Sequence, residues 1–339
     1  MINNRKTLIT GSTGALGSEF TKSILQNRKP VILLIRADSE EQARQKVEIV
    51  LGKDLFNKYK ELIDIVVGDL NMLNNLSNYK DEIQTIINIA GNVHLGKEQN
   101  TELEKVNIQG TKNLLNLCLE IPMLKHFMHT STFYVSEYFD KYPNVNKYEE
   151  TKKKAEALVN NFADNHSNIK TSIVRPSIII GDSKKGEILN CSGLCGYVQI
   201  LYSLLKRKDE FTKITLPGIA NAPANLVFVD WVVDQMNIIL KKELIGTYNL
   251  ANQNPPTISW LMNIYVTELK LDTKITFDNT PKEQSVIDRM AIKFGADIFK
   301  EYLSRFEVPS IDSRLEKHPE ITRENIIKQV KYYKENFVK

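Results

Sequence analysis

The sequence predicts an α/β protein: a doubly wound parallel sheet covered by helices on both faces, followed by a smaller, mostly helical C-terminal portion. Three observations carry this. Short β-branched runs alternate with amphipathic helical patterns through roughly the first 180 residues. Those runs are continuously apolar, as strands buried on both faces must be, and do not alternate with polar residues. Gly11, Gly14 and Gly17 follow the first run at three-residue intervals, where a strand has to turn sharply into a helix.

Taken in order, Lys6–Thr10 reads as the first strand. Leu16–Gln26 is the helix after it, with Leu16, Phe20, Ile24 and Leu25 on one side. Val31–Ile35 is a continuous apolar strand, and Ser39–Leu51 a charged helix opened by a serine cap with Gln42 three residues on. Ile63–Val67, Thr85–Ile89, Phe127–Thr130 and Thr171–Val174 are further short strands, with helices near Thr101–Leu119 and Tyr148–Phe162 between them. After Gly181 the rhythm loosens into a helical Val198–Leu205 stretch, a Pro217 to Pro223 loop, an apolar Leu226–Val229 run, a helix through Leu240 and a strand at Gly246–Leu250. From about Ser259 the pattern is mostly helical and closes on a polar Arg323–Phe337 helix, with no internal repeat or low-complexity linker. The expected division is a nucleotide-binding domain over residues 1–182, with 226–252 returning to it, and a substrate-binding lobe over 183–225 and 253–339.

A chain of 339 residues can bury a full core, and 42% apolar with 25% charged residues is an ordinary globular composition. Its 45 basic and 41 acidic residues leave a net charge of +4, with no Lys/Arg block, which argues against a nucleic-acid partner. Cys118, Cys191 and Cys195 have neither zinc-ligand spacing nor a disulfide framework, and Cys191 with Cys195 suits packing on a helical face or loop. No stretch reaches the length of a membrane span. A polar start that meets the first strand within about six residues leaves no room for a signal peptide, so a cytoplasmic, reduced protein is expected.

The glycine turn reads as the dinucleotide cradle of a Rossmann-type sheet, spanning Gly11, Ser12, Thr13, Gly14, Ala15, Leu16 and Gly17. Gly11 permits the tight turn, Gly14 lets the backbone approach a diphosphate, and Gly17 allows close packing of a helix whose N-terminus faces the phosphates. The second strand ends Leu34-Ile35-Arg36-Ala37, so a guanidinium stands where a 2′-phosphate would sit; this predicts NADPH (NADP) as cofactor, with Asp38 two residues on keeping NAD open. Asp69, with Leu70 after the third strand, is placed to accept a hydrogen bond from adenine; a plain turn aspartate is the competing reading. Ala90 and Gly91 end the fourth strand with small residues that admit the cofactor. Arg175-Pro176-Ser177-Ile178 would present backbone groups of Pro176, Ser177 and Ile178 to the nicotinamide carboxamide.

Tyr148 and Lys152 stand one helical turn apart on one face, shortly after Ser131-Thr132. A free phenol titrates near about 10, and the charges of Lys152 and an oxidised nicotinamide are expected to bring it toward operating pH. Tyr148 would then exchange a proton with a carbonyl while Lys152 binds the nicotinamide ribose and relays the proton. Thr132 would polarise the substrate oxygen, with Ser131 as the competing hydroxyl. Asn107 would hold a water or the lysine from a neighbouring helix. Tyr134, Tyr138 and Tyr142 read as pocket lining or loop packing. His94 lies close enough to touch substrate but reads more readily as structural.

Together, Thr10 to Gly17, Gly68-Asp69-Leu70, Val106 to Thr111, Tyr148 with Lys152, and Arg175-Pro176 resemble the extended short-chain dehydrogenase/reductase superfamily. Leu34 to Asp38 followed by Glu40 to Arg44, and Gly181-Asp182-Ser183, look like its thioester reductase branch, the male-sterility or fatty acyl reductase type. The likeness covers residues 5–255; the last 80 or so residues share only a helical character. It implies NADPH-dependent reduction of an acyl thioester, held on coenzyme A or a carrier protein, to an aldehyde and sometimes an alcohol. The branch's hydroxyl, tyrosine and lysine map onto Thr132, Tyr148 and Lys152, and its phosphate-binding arginine onto Arg36. The segment between Thr132 and Tyr148 is shorter than thioester reductases usually carry, and a free-standing chain, expected here, would differ from the multidomain members of the branch. Ketone or aldehyde reduction is the neighbouring reading. The alternatives are an NAD-dependent sugar-nucleotide epimerase or dehydratase, against which Arg36 counts, and a non-catalytic NADPH-sensing protein, against which the retained Tyr148 and Lys152 count. The resemblance also implies a homodimer, formed through exposed helices, as the expected assembly.

Overall fold

The computed structural model of the chain describes residues 5–93, 100–142, 146–189, 198–199, 202–203, 212–278, 285–292 and 302–337. The chain divides into two compact units. The first comprises Met1–Pro176, Val232–Leu250 and Asp312–Leu315; the second comprises Ser177–Trp231, Ala251–Ile311 and Glu316–Lys339.

In the first unit the order is β1 (Lys6–Thr10), α1 (Ala15–Gln26), β2 (Val31–Ile35), α2 (Glu40–Leu51), α3 (Lys53–Tyr59), β3 (Ile63–Val67) and β4 (Ile83–Asn88). Then come α4 (Asn100–Glu104), a π-helical turn at Lys105–Gln109, α5 (Gly110–Glu120), β5 (His126–Thr130), α6 (Lys147–Asn165) and β6 (Lys170–Pro176). With β10 (Gly246–Leu250) these strands form one seven-stranded sheet in the order β10-β6-β5-β4-β1-β2-β3, every pair parallel. The doubly wound parallel sheet is therefore present as expected. Its order reverses beside β1, whose neighbours are β2 and β4, and this opens a crevice at the carboxyl ends of those strands.

The sheet forms because its central strands can be buried on both faces, with apolar side chains or with polar ones that find partners across the sheet. All five residues of β2 are buried, as are all five of β5. On one face Leu8, Ile86, Phe127 and Ile173 from successive strands meet Leu114 and Leu117 of α5 and Val159 and Phe162 of α6. Ser39 caps α2 by accepting from the Gln42 N–H at 3.1 Å. The Gln42 side chain reaches back to the Asp38 N–H, one residue earlier than a standard capping box requires. The helix expected over Thr101–Leu119 is broken by the π turn, and α3 is a short helix that the sequence pattern does not announce.

The second unit contains β7 (Ile178–Ile180) paired with β9 (Leu226–Phe228), and β8 (Thr212–Leu216) paired with β11 (Thr273–Phe277), both parallel. Helix α7 (Val229–Lys241) follows β9 and leads to β10. Helices α8 (Ile258–Glu268), α9 (Val286–Ala291) and α10 (Arg323–Phe337) come after it. The portion read as mostly helical thus includes one small sheet, β8 with β11, whose five-residue strands are too short to carry a periodic signal. Among the described residues no helix is long and apolar enough to cross a membrane.

Candidate active site

The turn from β1 to α1 is built by what its glycines exclude. Gly11 has φ +72°, and a Cβ there would lie 2.6 Å from the Ala90 nitrogen. At Gly17 a Cβ would lie 2.0 Å from the Gly11 carbonyl oxygen, so the helix can pack on the turn only through a hydrogen. Gly14 differs: an added Cβ meets nothing but the Gly11 oxygen, at 3.3 Å. Internal packing therefore does not demand a glycine at 14. Gly14 is the N-cap of α1 and supplies no side-chain acceptor to the helix's first-turn N–H groups. The buried Ser12 hydroxyl has no hydrogen-bond partner among the described residues. Thr13 and Ala15 are half-buried, while Leu16 turns its side chain into the core.

Arg36 is exposed directly after β2, and the Lys46 ammonium donates to its carbonyl at 2.8 Å, placing a second cation at this strand end. Asp38 is tied to Gln42 through both backbone and carboxylate. Asp69 is half-buried and its Oδ1 accepts from the Asn71 N–H at 2.6 Å, the turn arrangement weighed against adenine binding. Leu70 is a core residue: its side chain abuts Gly110 and its carbonyl accepts from Asn113. The Ala90 N–H donates to the Thr10 hydroxyl, which continues to Asn88 Oδ1 at 2.8 Å; Asn88 Nδ2 in turn lies 3.1 Å from His129 Nδ1. Thr10, Asn88 and His129 form one polar row across β1, β4 and β5, in register and fully buried. A Cβ on exposed Gly91 would point between Lys152 Nζ and Asn107 Oδ1. Pro176 ends β6 in the first unit. In the second unit, the Ser177 hydroxyl and the Ile178 N–H both donate to the Asn225 carbonyl, so those two groups are already engaged.

Helix α6 carries both Tyr148 and Lys152. Asn146 caps it by accepting from the Glu149 N–H at 2.8 Å, which fixes its first turn and with it Tyr148. The half-buried Tyr148 phenol shares a hydrogen bond with the Thr132 hydroxyl. Burial, reinforced by the neighbouring Glu149 charge, pushes the phenol above its ordinary pKa, against the pull of that bond. The protein alone therefore holds this phenol protonated, opposite to the depression expected from Lys152. Lys152 is 4% exposed and donates to the Thr130 carbonyl at 2.6 Å. Burial lowers its pKa to about 8, opposed by the Glu156 carboxylate. Thr132 also caps the turn Phe133–Val135, whereas the neighbouring Ser131 hydroxyl is buried with no partner among the described residues. Geometry thus joins Thr132, rather than Ser131, to Tyr148.

Asn107 is 2% exposed on the π turn. It accepts from the Asn92 N–H at 2.8 Å and donates to the Asn92 carbonyl at 3.1 Å and to Thr151 Oγ1 at 2.9 Å. Thr151 donates onward to the Tyr148 carbonyl. Asn107 thus clamps the loop after β4 to the start of α6. Tyr134, Tyr138 and Tyr142 pack with Phe133 and Phe139 in a ring cluster. His94, Cys191 and Cys195 lie outside the described residues. Sequence reasoning missed Thr151 and Glu156, although their positions one before and four after Lys152 are a readable helical signal.

A family model described as "Male sterility protein" matches residues 9–236. An alcohol-forming fatty acyl-CoA reductase of Simmondsia chinensis is 30% identical over 158 residues, covering 40% of this chain and 32% of the relative. An NRPS-like oxidoreductase, fscA, of Fusarium equiseti is 27% identical over 225 residues, covering 62% of this chain and 22% of the relative. The chain therefore spans a third or less of the length of these two reductases. An inverting UDP-N-acetylglucosamine 4,6-dehydratase of Campylobacter jejuni is 28% identical over 187 residues, 53% of this chain and 51% of the relative. Among solved structures, the terminal R domain from the myxalamid PKS-NRPS pathway shares the fold with a TM-score of 0.79 and 19% identity, over 97% of this chain and 90% of that one. The chain belongs to the male sterility protein family, on the thioester reductase branch of the extended short-chain dehydrogenase/reductase oxidoreductases.

Proposed function

We propose that this protein reduces an acyl thioester with NADPH, releasing the thiol and forming an aldehyde. The observation that carries the reading is the hydrogen-bonded Thr132–Tyr148 pair with buried, cationic Lys152 one turn away, in a chain of this family. The glycine turn fits the cofactor's diphosphate: Gly14 leaves space that packing does not need, and the orphaned Ser12 hydroxyl and uncapped start of α1 supply donors. Arg36, with Lys46 beside it, would hold a 2′-phosphate; Asp69 would take the adenine amino group, and Ala90 and Gly91 would border the ring. When bound, the nicotinamide supplies hydride to the carbonyl carbon. The Thr132 and Tyr148 hydroxyls would donate to the thioester oxygen as negative charge develops there. Burial keeps the phenol protonated, and so able to donate, but also makes it a weaker acid. Its proton would leave only as the carbonyl oxygen gains charge, with the Lys152 ammonium stabilising the phenolate left behind. Asn107 would keep α6 and the loop after β4 in register during turnover.

The test is NADPH oxidation with acyl-CoAs of increasing length, with released thiol titrated in parallel. Thiol release matching NADPH consumption is expected. NADPH oxidation on ketones or aldehydes without activity on any thioester would narrow the reading to carbonyl reduction. The dehydratase relative supports a second reading, turnover of a sugar nucleotide. Conversion of a UDP-sugar without net cofactor consumption would establish that reading instead, and NADH used as well as NADPH would remove the role of Arg36.

A further inference from the structure

Lys152 has to stay charged although it is buried. Its charged and titratable neighbours stand on two elements, its own helix and β5. On α6 itself these are Tyr148 and Glu156, and on β5 the buried His129, which is held neutral because burial and the lysine both oppose its protonation. Of the other elements packed against α6, the turn after β5 carries Tyr134, and the α4–π segment carries Glu102, Glu104 and Lys105, all three exposed. Glu149 of α6 is also buried, but its charge acts on Tyr148. Among the described residues, Glu156 is the buried carboxylate that acts on Lys152. It lies one helical turn further along α6 and is 4% exposed.

Glu156 is itself firmly held. Arg175 of β6 directs Nε to both carboxylate oxygens at 3.1 Å, and its Nη2 also bonds Oε1. The remaining arm of the guanidinium reaches Glu137 Oε2 at 3.1 Å. A buried ion pair is weak evidence of added stability, since desolvation offsets its attraction. This one includes the carboxylate that stands one helical turn along α6 from the lysine and acts on its charge. We infer that the Glu156–Arg175 pair is a positioning device that keeps Lys152 protonated at the reaction site, with Glu156 supplying the counter-charge and Arg175 fixing how much of it Lys152 feels. The inference rests on the role proposed above for Lys152, but its primary test does not.

That test is the titration of Lys152 itself, followed in the full chain by 13Cε-lysine NMR, with Lys152→Arg to assign the resonance. Glu156→Gln keeps the side-chain shape and removes the charge, so the Lys152 midpoint should fall by about one pH unit. Arg175→Gln leaves the carboxylate unneutralised, so the midpoint should rise. A structural pair would move both variants in the same direction, or neither. The inference is overturned by an unmoved resonance in Glu156→Gln, or by a fall in both variants. Should either variant unfold, thermal denaturation will show it, and Glu156→Asp, which keeps the charge, must then restore the midpoint or the inference fails. In activity, the basic limb of the kcat–pH profile should shift down with the Glu156→Gln midpoint while KM stays near wild type. If the resonance shifts as expected but Lys152→Ala turns over normally, the function proposed for Lys152 fails while the electrostatic coupling stands.

Discussion

Alanine at Gly14 and at Gly17 separates two reasons for a glycine in the same turn. Gly14 sits at φ −86°, ψ 171°, a region open to any residue, and its new Cβ would meet only the Gly11 oxygen at 3.3 Å. Removing glycine's freedom in the unfolded chain stabilises by about 0.4–1 kcal/mol, while alanine is a poorer N-cap by a similar amount. Gly14→Ala should therefore lie within about 1 kcal/mol of wild type in urea unfolding. Its methyl would project where the diphosphate is proposed to lie, and overpacking of about 1–3 kcal/mol corresponds to NADPH binding about 5- to 150-fold weaker. Gly17→Ala is different in kind. Its Cβ would fall 2.0 Å from the Gly11 oxygen, 2.7 Å from the Gly11 carbonyl carbon and 2.9 Å from the Ser12 Cα, all backbone atoms that must move. Destabilisation of about 4 kcal/mol or more is expected, the range reserved for structural clashes. Urea midpoints and fluorescence titration with NADPH read the two effects separately. A Gly14→Ala protein that binds NADPH as tightly as wild type, or that unfolds as readily as Gly17→Ala, would refute the reasoning.

Tyr148→Phe should lose about 10²- to 10⁴-fold in turnover with little change in urea midpoint, and wild-type-like turnover would remove Tyr148 from the proton path. Arg36→Ala should raise the KM for NADPH about tenfold or more and leave that for NADH unchanged, measured from initial rates with each cofactor. Activity should decline above pH 8 as Lys152, lowered to about 8, loses its proton. Because its folded value lies below the unfolded 10.5, the unfolded chain binds more protons between those pH values, so this group's contribution to stability rises with pH in that window. Burial lowers His126 and His318 to about 4, so stability should fall as pH drops from 6.5 toward 4, and His126→Asn should flatten the fall seen in urea midpoints.

The parts of the fold legible in the sequence were those where one physical requirement dominates. Val31–Ile35 could be read residue for residue because it is an unbroken apolar run buried throughout, and Lys6–Thr10 because its Leu8-Ile9 centre runs straight into the glycine turn. Ser39 as a cap and the Arg323–Phe337 helix were equally plain. The β8–β11 pairing was not, since strands some 60 residues apart leave no local trace. The near-identical segments Thr212-Lys213-Ile214-Thr215 and Thr273-Lys274-Ile275-Thr276, which pair in register, were the overlooked hint. At the candidate site, the Tyr148 phenol bonds the Thr132 hydroxyl, and Lys152 lies one turn further along the same helix. Leu70 is committed to the core, and the Ser177 hydroxyl and Ile178 N–H to Asn225, because pattern reading locates a segment but not which of its polar groups are already spent.

The π turn at Lys105–Gln109 makes this part of the chain intolerant of a change in length. A wide turn holds one residue more than a regular helix would over the same rise, and each residue advances the helix by about 100°. Deleting a single residue there would let the segment relax into ordinary α-helix and swing Asn107 about a quarter-turn off Thr151 and Asn92. Every atom of the reacting trio would survive such a deletion, and the loop after β4 would lose its tether to the helix that carries two of them. Comparisons of homologous chains should accordingly find this stretch free to vary in composition but fixed in count.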